Sequence, residues 1–268
     1  MIEIVVCSPK EKVERIKQLG IPPCRKIYVP GETDAEGYSI AKLNPWYCEA
    51  TALYWLWKTS TAEIVGLEHY RRYFVDEKGK FATKERIESI LSDYDVMAIE
   101  HRYSTKDVEF PWVAHSILIG WEDRKLQAYK FVYGFILWLA KNRITYKMAK
   151  FFLEDLYDEK TLYKCNMFVC RKPIVDEWCE FMFPKLTEWM KQEGIKLDDT
   201  NKRLVGHVFE HLFGSWMKYR GLKIRPSGYV VFDKNLTRVV PEQMGADVFE
   251  AFQKYAKSFT KKAPVYYH

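Results

Sequence analysis

The feature that most constrains this chain is the alternation of two periodicities along its N-terminal part. Short β-branched runs at 2–7 ("IEIVVC"), 25–29 ("RKIYV"), 62–72 ("AEIVGLEHYRR") and 95–103 ("DVMAIEHRY") are separated by segments of helical spacing at 10–19, 47–58 and 83–94. Compact apolar runs bounded by turn residues read as buried strands. Strands that alternate with helices close into an open α/β sheet with right-handed crossovers, and the ligands of such sheets collect beyond the carboxyl ends of the strands.

The second half is more helical. A basic, aromatic helical stretch is predicted over 122–156, a strand over 165–171 ("CNMFVCR"), helices over 173–192 and 199–220, the latter stopped at Gly221, and a strand within 223–232 ("KIRPSGYVVF"). No internal repeat or linker cuts the chain, and 268 residues lie near the upper limit for one hydrophobic core. The expected organisation is one α/β domain over 1–246, with 122–160 as a helical insertion, followed by an amphipathic tail over 247–268. That tail aligns Phe249, Phe252, Tyr255 and Phe259 beside Lys254, Lys257, Lys261 and Lys262, a pattern suited to an anionic lipid surface.

Composition narrows the class. Apolar residues at 48 % and aromatics at 16 % exclude a disordered chain. The net charge of +6 favours anionic partners, but the basic residues are spread along the chain instead of forming one dense stripe, which argues against nucleic acid. The six cysteines form neither a CxxC pair nor a zinc set, so reduced thiols and a cytoplasmic setting are expected. The N-terminal residues lead straight into a strand without export features. The longest apolar run, 131–140, is half the roughly 20 residues that span a bilayer.

The segment "VGLEHYRRYF" (65–74) sets Glu68, His69, Tyr70, Arg71 and Arg72 at a strand's carboxyl end, where ligand is met. A guanidinium fork matches phosphate oxygens bidentately and never loses its charge, which suits a diphosphate. Neighbouring strand residues face opposite ways, so Arg71 and Arg72 share a cleft only if the chain has already turned. Metal-dependent nucleotide-sugar enzymes carry Asp-x-Asp at this place. Here the one Asp-x-Asp, Asp93-Tyr94-Asp95, precedes its strand and is expected to be irrelevant to the site. No metal ion or other cofactor is therefore expected.

Four blocks, "NPWYCEATALYWLWK" (44–58), "VGLEHYRRYF", "NMFVCRKPIVDEWCEFMFP" (166–184) and "RLVGHVFEHL" (203–212), resemble in order and spacing a bacterial family of capsular and exopolysaccharide glycosyltransferases. That family is often labelled only as a domain of unknown function, and it includes galactofuranosyltransferases. The resemblance implies a GT-A-like nucleotide-sugar fold. It also implies transfer from a UDP-sugar, commonly UDP-galactofuranose, to a growing glycan such as a polyprenyl-diphosphate-linked saccharide at the inner face of the membrane. It places Asn44, Tyr47, Glu49 and Trp55 in the first motif, His69 to Arg72 in the second, Asn166 in the third, and Arg203, Gly206 and Glu210 in the fourth. Cys7 and Ser8, at the end of the first strand, lie where uridine docks in this architecture. The sequence departs from the family at Tyr38-Ser39-Ile40-Ala41 and over 104–160.

Inverting transfer needs a carboxylate to take the acceptor's hydroxyl proton. The candidates, in order, are Glu68, Glu210 and Asp34, with Glu49 and Asp95 behind them and His69 as a supporting partner. Glu68 competes with an ion pair to an arginine, and Glu210 with a clamp of its helix against the sheet. The rival functions are a non-catalytic scaffold and a nucleic-acid-binding module built on the basic, aromatic helices.

Overall fold

The computed structural model describes residues 1–102, 122–157, 161–232 and 238–239. The expected tail at 247–268 and the segment 103–121 lie outside them.

Strands β1 (Ile2–Cys7), β2 (Arg25–Tyr28) and β3 (Ile64–His69) run parallel, β1 between the other two. On the other side of β3 the long strand β6 (Thr161–Arg171) runs antiparallel and carries β5 (Val96–Arg102), which is followed by β7 (Ile224–Pro226). A second arm leaves the end of β3 through β4 (Arg72–Phe74), β8 (Tyr229–Phe232) and β9 (Arg238–Val239). The sheet is thus mixed and open, as the alternation of strands and helices predicted.

The helices are α1 (Val13–Gln18), α2 (Asn44–Tyr47), α3 (Ala50–Thr59), α4 (Lys84–Leu91), α5 (Glu122–Ala140), α6 (Tyr146–Tyr157), α7 (Lys172–Gln192) and α8 (Leu204–Tyr219). Strand alternation sorts the core. Val5, Leu67, Phe168 and Cys170 point to one face, which α3, α5, α6, α7 and α8 cover with Phe135, Phe152, Trp178, Phe209 and their neighbours. Ile4, Met97, Met167 and Val169 point to the other, covered by Ile87, Ile90 and Leu91 of α4. At Gly66 a Cβ would lie 2.8 Å from the Phe168 carbonyl oxygen, so the central strand tolerates no side chain there.

Several boundaries differ from expectation. The predicted helix over 47–58 is broken at Cys48, whose φ of 51° turns the chain between α2 and α3. The predicted helix over 199–220 opens as a separate 3-10 turn at Asp199–Asn201, because Arg203 has a φ of 71° and restarts the helix. The stretch 122–156 is two helices joined by a turn at 141–145. None of these positive-φ residues is glycine, so the breaks left no mark in the sequence.

Candidate active site

The parallel strands β1 and β3 end side by side, with Cys7 opposite His69. Alternation puts both on the helix-rich face, whereas Val6 and Glu68 belong to the opposite one. The burial agrees: Cys7 packs against the larger core, and Val6 lies in a separate small cluster with Ile16, Tyr73, Val230 and Phe232.

Glu68, the first choice as base, is therefore aimed away from its neighbour His69. It is 0 % exposed, and both of its oxygens accept from the Arg25 guanidinium, at 2.7 and 2.9 Å. The Phe74 backbone N–H adds a third bond at 2.9 Å, and Arg25 itself also donates to the Ala82 carbonyl at 2.9 Å. The geometry argues against Glu68 as a base and for a buried brace between β2, β3 and β4. Asp34 is also 0 % exposed, accepting from the Tyr28 hydroxyl at 2.6 Å, the Gly31 N–H at 2.7 Å and the Ser39 hydroxyl at 2.9 Å. It shapes the loop between β2 and α2, and the same argument against a base applies. Asp95, on the opposite edge of the sheet, accepts the Lys223 N–H.

After His69 the chain does turn. His69 and Arg72 face each other across a two-residue hairpin with Tyr70 and Arg71 at its tip. His69 and Arg72 are directly opposed in register, and the Arg72 charge acts on the Tyr229 hydroxyl, which burial and the Cys165 thiol push up, so Arg72 lies near Tyr229 and Cys165. The Arg71 guanidinium sits 5.3 Å from the centre of the Tyr70 ring. Among the described residues neither arginine is ion-paired to a carboxylate. The hairpin is pinned from behind, since Tyr70 N–H donates to the Cys7 carbonyl at 3.0 Å and Phe232 N–H to the Arg71 carbonyl at 2.8 Å.

Beside this hairpin β6 bulges. Cys165 and Asn166 have φ of 68° and 48°, and the pairing of β5 with β6 slips between Ala98 and Glu100. Two consecutive left-handed residues without glycine are strained, and such strain persists only where the surroundings hold it. Here three polar groups of the bulge meet partners on distant segments. The Cys165 N–H donates to Glu210 Oε1 at 2.8 Å, and the Cys165 carbonyl is bonded to His69 Nε2. A carbonyl only accepts, so Nε2 carries the proton, and His69 is a supporting partner at that nitrogen. The Asn166 amide donates to Glu49 Oε1 at 2.7 Å, and the same oxygen lies 4.0 Å from His69 Nε2.

Helix α8 closes the group. A Cβ on Gly206 would meet the Tyr47 carbonyl oxygen at 3.2 Å and the Cys48 side chain at 3.1 Å, so the absence of a side chain lets α8 dock on the α2–α3 break. The Arg203 N–H donates to the Pro45 carbonyl at 2.9 Å. Burial and the Glu49 charge push the Cys48 thiol up to about 12, against the pull of the Arg203 guanidinium bonded to it. Burial, then the Glu49 charge, raises the Cys7 thiol as well, so both stay protonated and are poor nucleophiles. Burial also opposes the charged form of Glu210, yet the hydrogen bond from His207, the charges of His211 and His207 and the Cys165 N–H hold it well below the usual carboxylate range. A carboxylate so stabilised is a weak base and a good clamp.

Other expected ligand residues do structural work. Tyr47 is buried and stacks on Phe183 at 6.3 Å. Asn44 braces the Cys48 carbonyl and the Thr51 hydroxyl, each at 3.0 Å. Ser8 is 2 % exposed, its hydroxyl donating to the Pro9 carbonyl. What the chain gathers at the carboxyl ends of β1 and β3 is Glu49, His69, Asn166, Glu210 and Arg203, with Arg72 paired to His69 across the hairpin. Glu49, placed behind Glu68, Glu210 and Asp34 from sequence, is the carboxylate that contacts both Asn166 and His69. Among the described residues no three His, Cys, Asp or Glu side chains are grouped to hold a metal ion.

Residues 18–221 match the family model described as a domain of unknown function, DUF4422. The chain belongs to the DUF4422 family. Its fold is similar to a solved structure titled as the apo form of the WbbM bifunctional glycosyltransferase, with a TM-score of 0.63 at 19 % identity. The match covers 89 % of this DUF4422 chain and 46 % of that one, so the chain spans about half of WbbM's length. At this identity the likeness is one of fold. No curated protein sequence matches the chain.

Proposed function

We propose that this chain is a glycosyltransferase that moves a sugar from a UDP-linked donor, UDP-galactofuranose being the first candidate, to a glycan acceptor in cell-surface polysaccharide assembly. The observation that supports the reading is the hairpin at the end of β3, which pairs Arg72 with His69 in register and leaves Arg72 without an ion-pair partner among the described residues. The likeness of fold to WbbM, named a bifunctional glycosyltransferase, agrees with it.

In this reading Arg72, with Arg71 at the hairpin tip, neutralises the charge that develops on the departing diphosphate without a metal ion. Glu49 takes the acceptor's hydroxyl proton as the new bond forms on the face opposite the leaving group, which inverts the anomeric centre. Its Oε1 is held by Asn166, and no described residue donates to its Oε2. Arg203 stands at the mouth of α8 as a further donor to phosphate or sugar.

The test is a panel of UDP-sugars incubated with the chain, scored for UDP release and for transfer to glycan acceptors with EDTA present. A rise in melting temperature with UDP and turnover of at least one donor are expected. Absence of both overturns the reading, and recovery of activity only on adding manganese overturns its metal-independent form.

A further inference from the structure

The turn between α5 and α6 presents an unusual surface. Ile144 is 90 % exposed, Tyr146 is 53 % exposed, and Leu137 in the last turn of α5 is 55 % exposed. Single exposed apolar residues are ordinary, but here they cluster at one turn. The turn is also fixed in shape. Thr145 is buried and its hydroxyl donates to the Leu139 carbonyl at 2.5 Å, while the Ile144 N–H donates to Asn142 Oδ1 at 2.9 Å. Ile144 is held outward by a rigid frame.

The charge along the turn itself has one sign. From 141 to 153 the sequence holds Lys141, Arg143, Lys147 and Lys150 and no acidic residue. Lys141 reaches Glu193 at 3.3 Å and Lys150 reaches Glu154 at 3.7 Å. Arg143 and Lys147 are paired to no carboxylate among the described residues. Both are exposed, on either side of Ile144 and Tyr146.

We propose that this turn is a docking point for an anionic lipid bilayer, with Ile144 and Tyr146 entering the headgroup region and Arg143 and Lys147 meeting lipid phosphates. An apolar tip ringed by basic side chains is what an interfacial contact requires. A second copy of the chain fits less well: like charges would face each other, and three apolar side chains fall far short of the roughly 800 Å² per partner that a stable protein interface buries. The place is apt for an enzyme on lipid-linked acceptors. Trp138 bonds Gln192 and Lys141 pairs with Glu193 at the end of α7, from which the chain leads through 194–203 to Arg203. The inference stands apart from the sugar-transfer reading, because vesicle binding is measured without donor or acceptor.

The experiment is co-sedimentation of the full chain with vesicles of phosphatidylcholine alone and with added phosphatidylglycerol, for the native chain, Ile144→Ser/Tyr146→Ser and Arg143→Glu/Lys147→Glu. Binding only to the anionic vesicles is expected, weakened by salt. Each lost basic contact should cut partitioning about fivefold and the apolar pair about tenfold or more. Deleting 247–268 tests the tail separately. Equal binding by all turn variants, or none by the native chain, overturns the proposal. So does concentration-dependent self-association abolished by Ile144→Ser/Tyr146→Ser, which would make the turn a contact between copies. Unchanged melting temperatures show that the variants fold.

Discussion

Glu210 on α8 accepts the N–H of Cys165 on β6, so a helix carboxylate holds the strand residue whose carbonyl engages His69. Removing that acceptor leaves a half-buried N–H unsatisfied and a strained bulge unsupported. Glu210→Ala should cost about 1–3 kcal/mol in urea denaturation, with weakened transfer because Asn166 no longer aims at Glu49. Glu210→Gln keeps an acceptor and should lose less. The sign with pH follows from the lowered folded-state value. The carboxylate's contribution is full above the ordinary 4.5 and is lost as pH falls below it toward the folded value. The native-to-Gln stability difference should therefore shrink on acidification, and a difference that grew would contradict the assigned network.

Arg72 and Arg71 should not be equivalent. Arg72 is paired with His69 across the hairpin, and Arg71 occupies the tip over Tyr70. Isothermal titration with UDP should show Arg72→Ala weakening binding by about ten- to a hundredfold, the loss of one charge-assisted bidentate contact. Arg71→Ala should weaken it less, and lysine at 72 should restore only part of the loss because it lacks the planar fork. Equal, mild effects at both positions would count against the site.

Glu68 makes a different prediction. Glu68→Ala strands the Arg25 guanidinium in the core and should destabilise the chain by about 3–5 kcal/mol. The double change Arg25→Met/Glu68→Leu should recover much of that stability. UDP binding by the folded fraction should survive, since alternation turns Glu68 away from His69 and the pair is bonded to Ala82 and Phe74. A stable Glu68→Gln protein that binds UDP but transfers nothing would refute the facing assigned here.

These residues also mark what the sequence could tell. The strands, their alternation and the start of a helix at 83, where the Thr83 hydroxyl accepts from the Arg86 N–H, were legible because they are local. Glu68 was ranked first because alternation says that 68 and 69 part company but not which of them faces the cleft; that depends on the helices packed later in the chain. The hairpin at Tyr70-Arg71 lacks the Gly, Asn or Asp that usually announces a tight turn. The bulge at Cys165-Asn166 is likewise silent, being imposed by Glu210 and His69 from distant segments. The base ranking favoured Glu68 inside the cleft motif over Glu49, which reaches the site only because Cys48 breaks the helix.

Glu49 supplies the sharpest test of the chemistry. Its Oε1 is fixed by Asn166 at 2.7 Å and lies 4.0 Å from His69 Nε2, so the side chain is oriented before any acceptor arrives. Glu49→Gln preserves size and can still meet a hydrogen-bond donor, but it cannot accept a proton. Transfer should fall by about 10²–10⁴-fold with UDP affinity nearly unchanged. Asn166→Ala should show a milder loss in kcat, since it frees the carboxylate without removing it. If Glu49→Gln retained full transfer while binding UDP normally, the proton would have to leave by another group, and Glu49 would be reduced to a partner of Asn166.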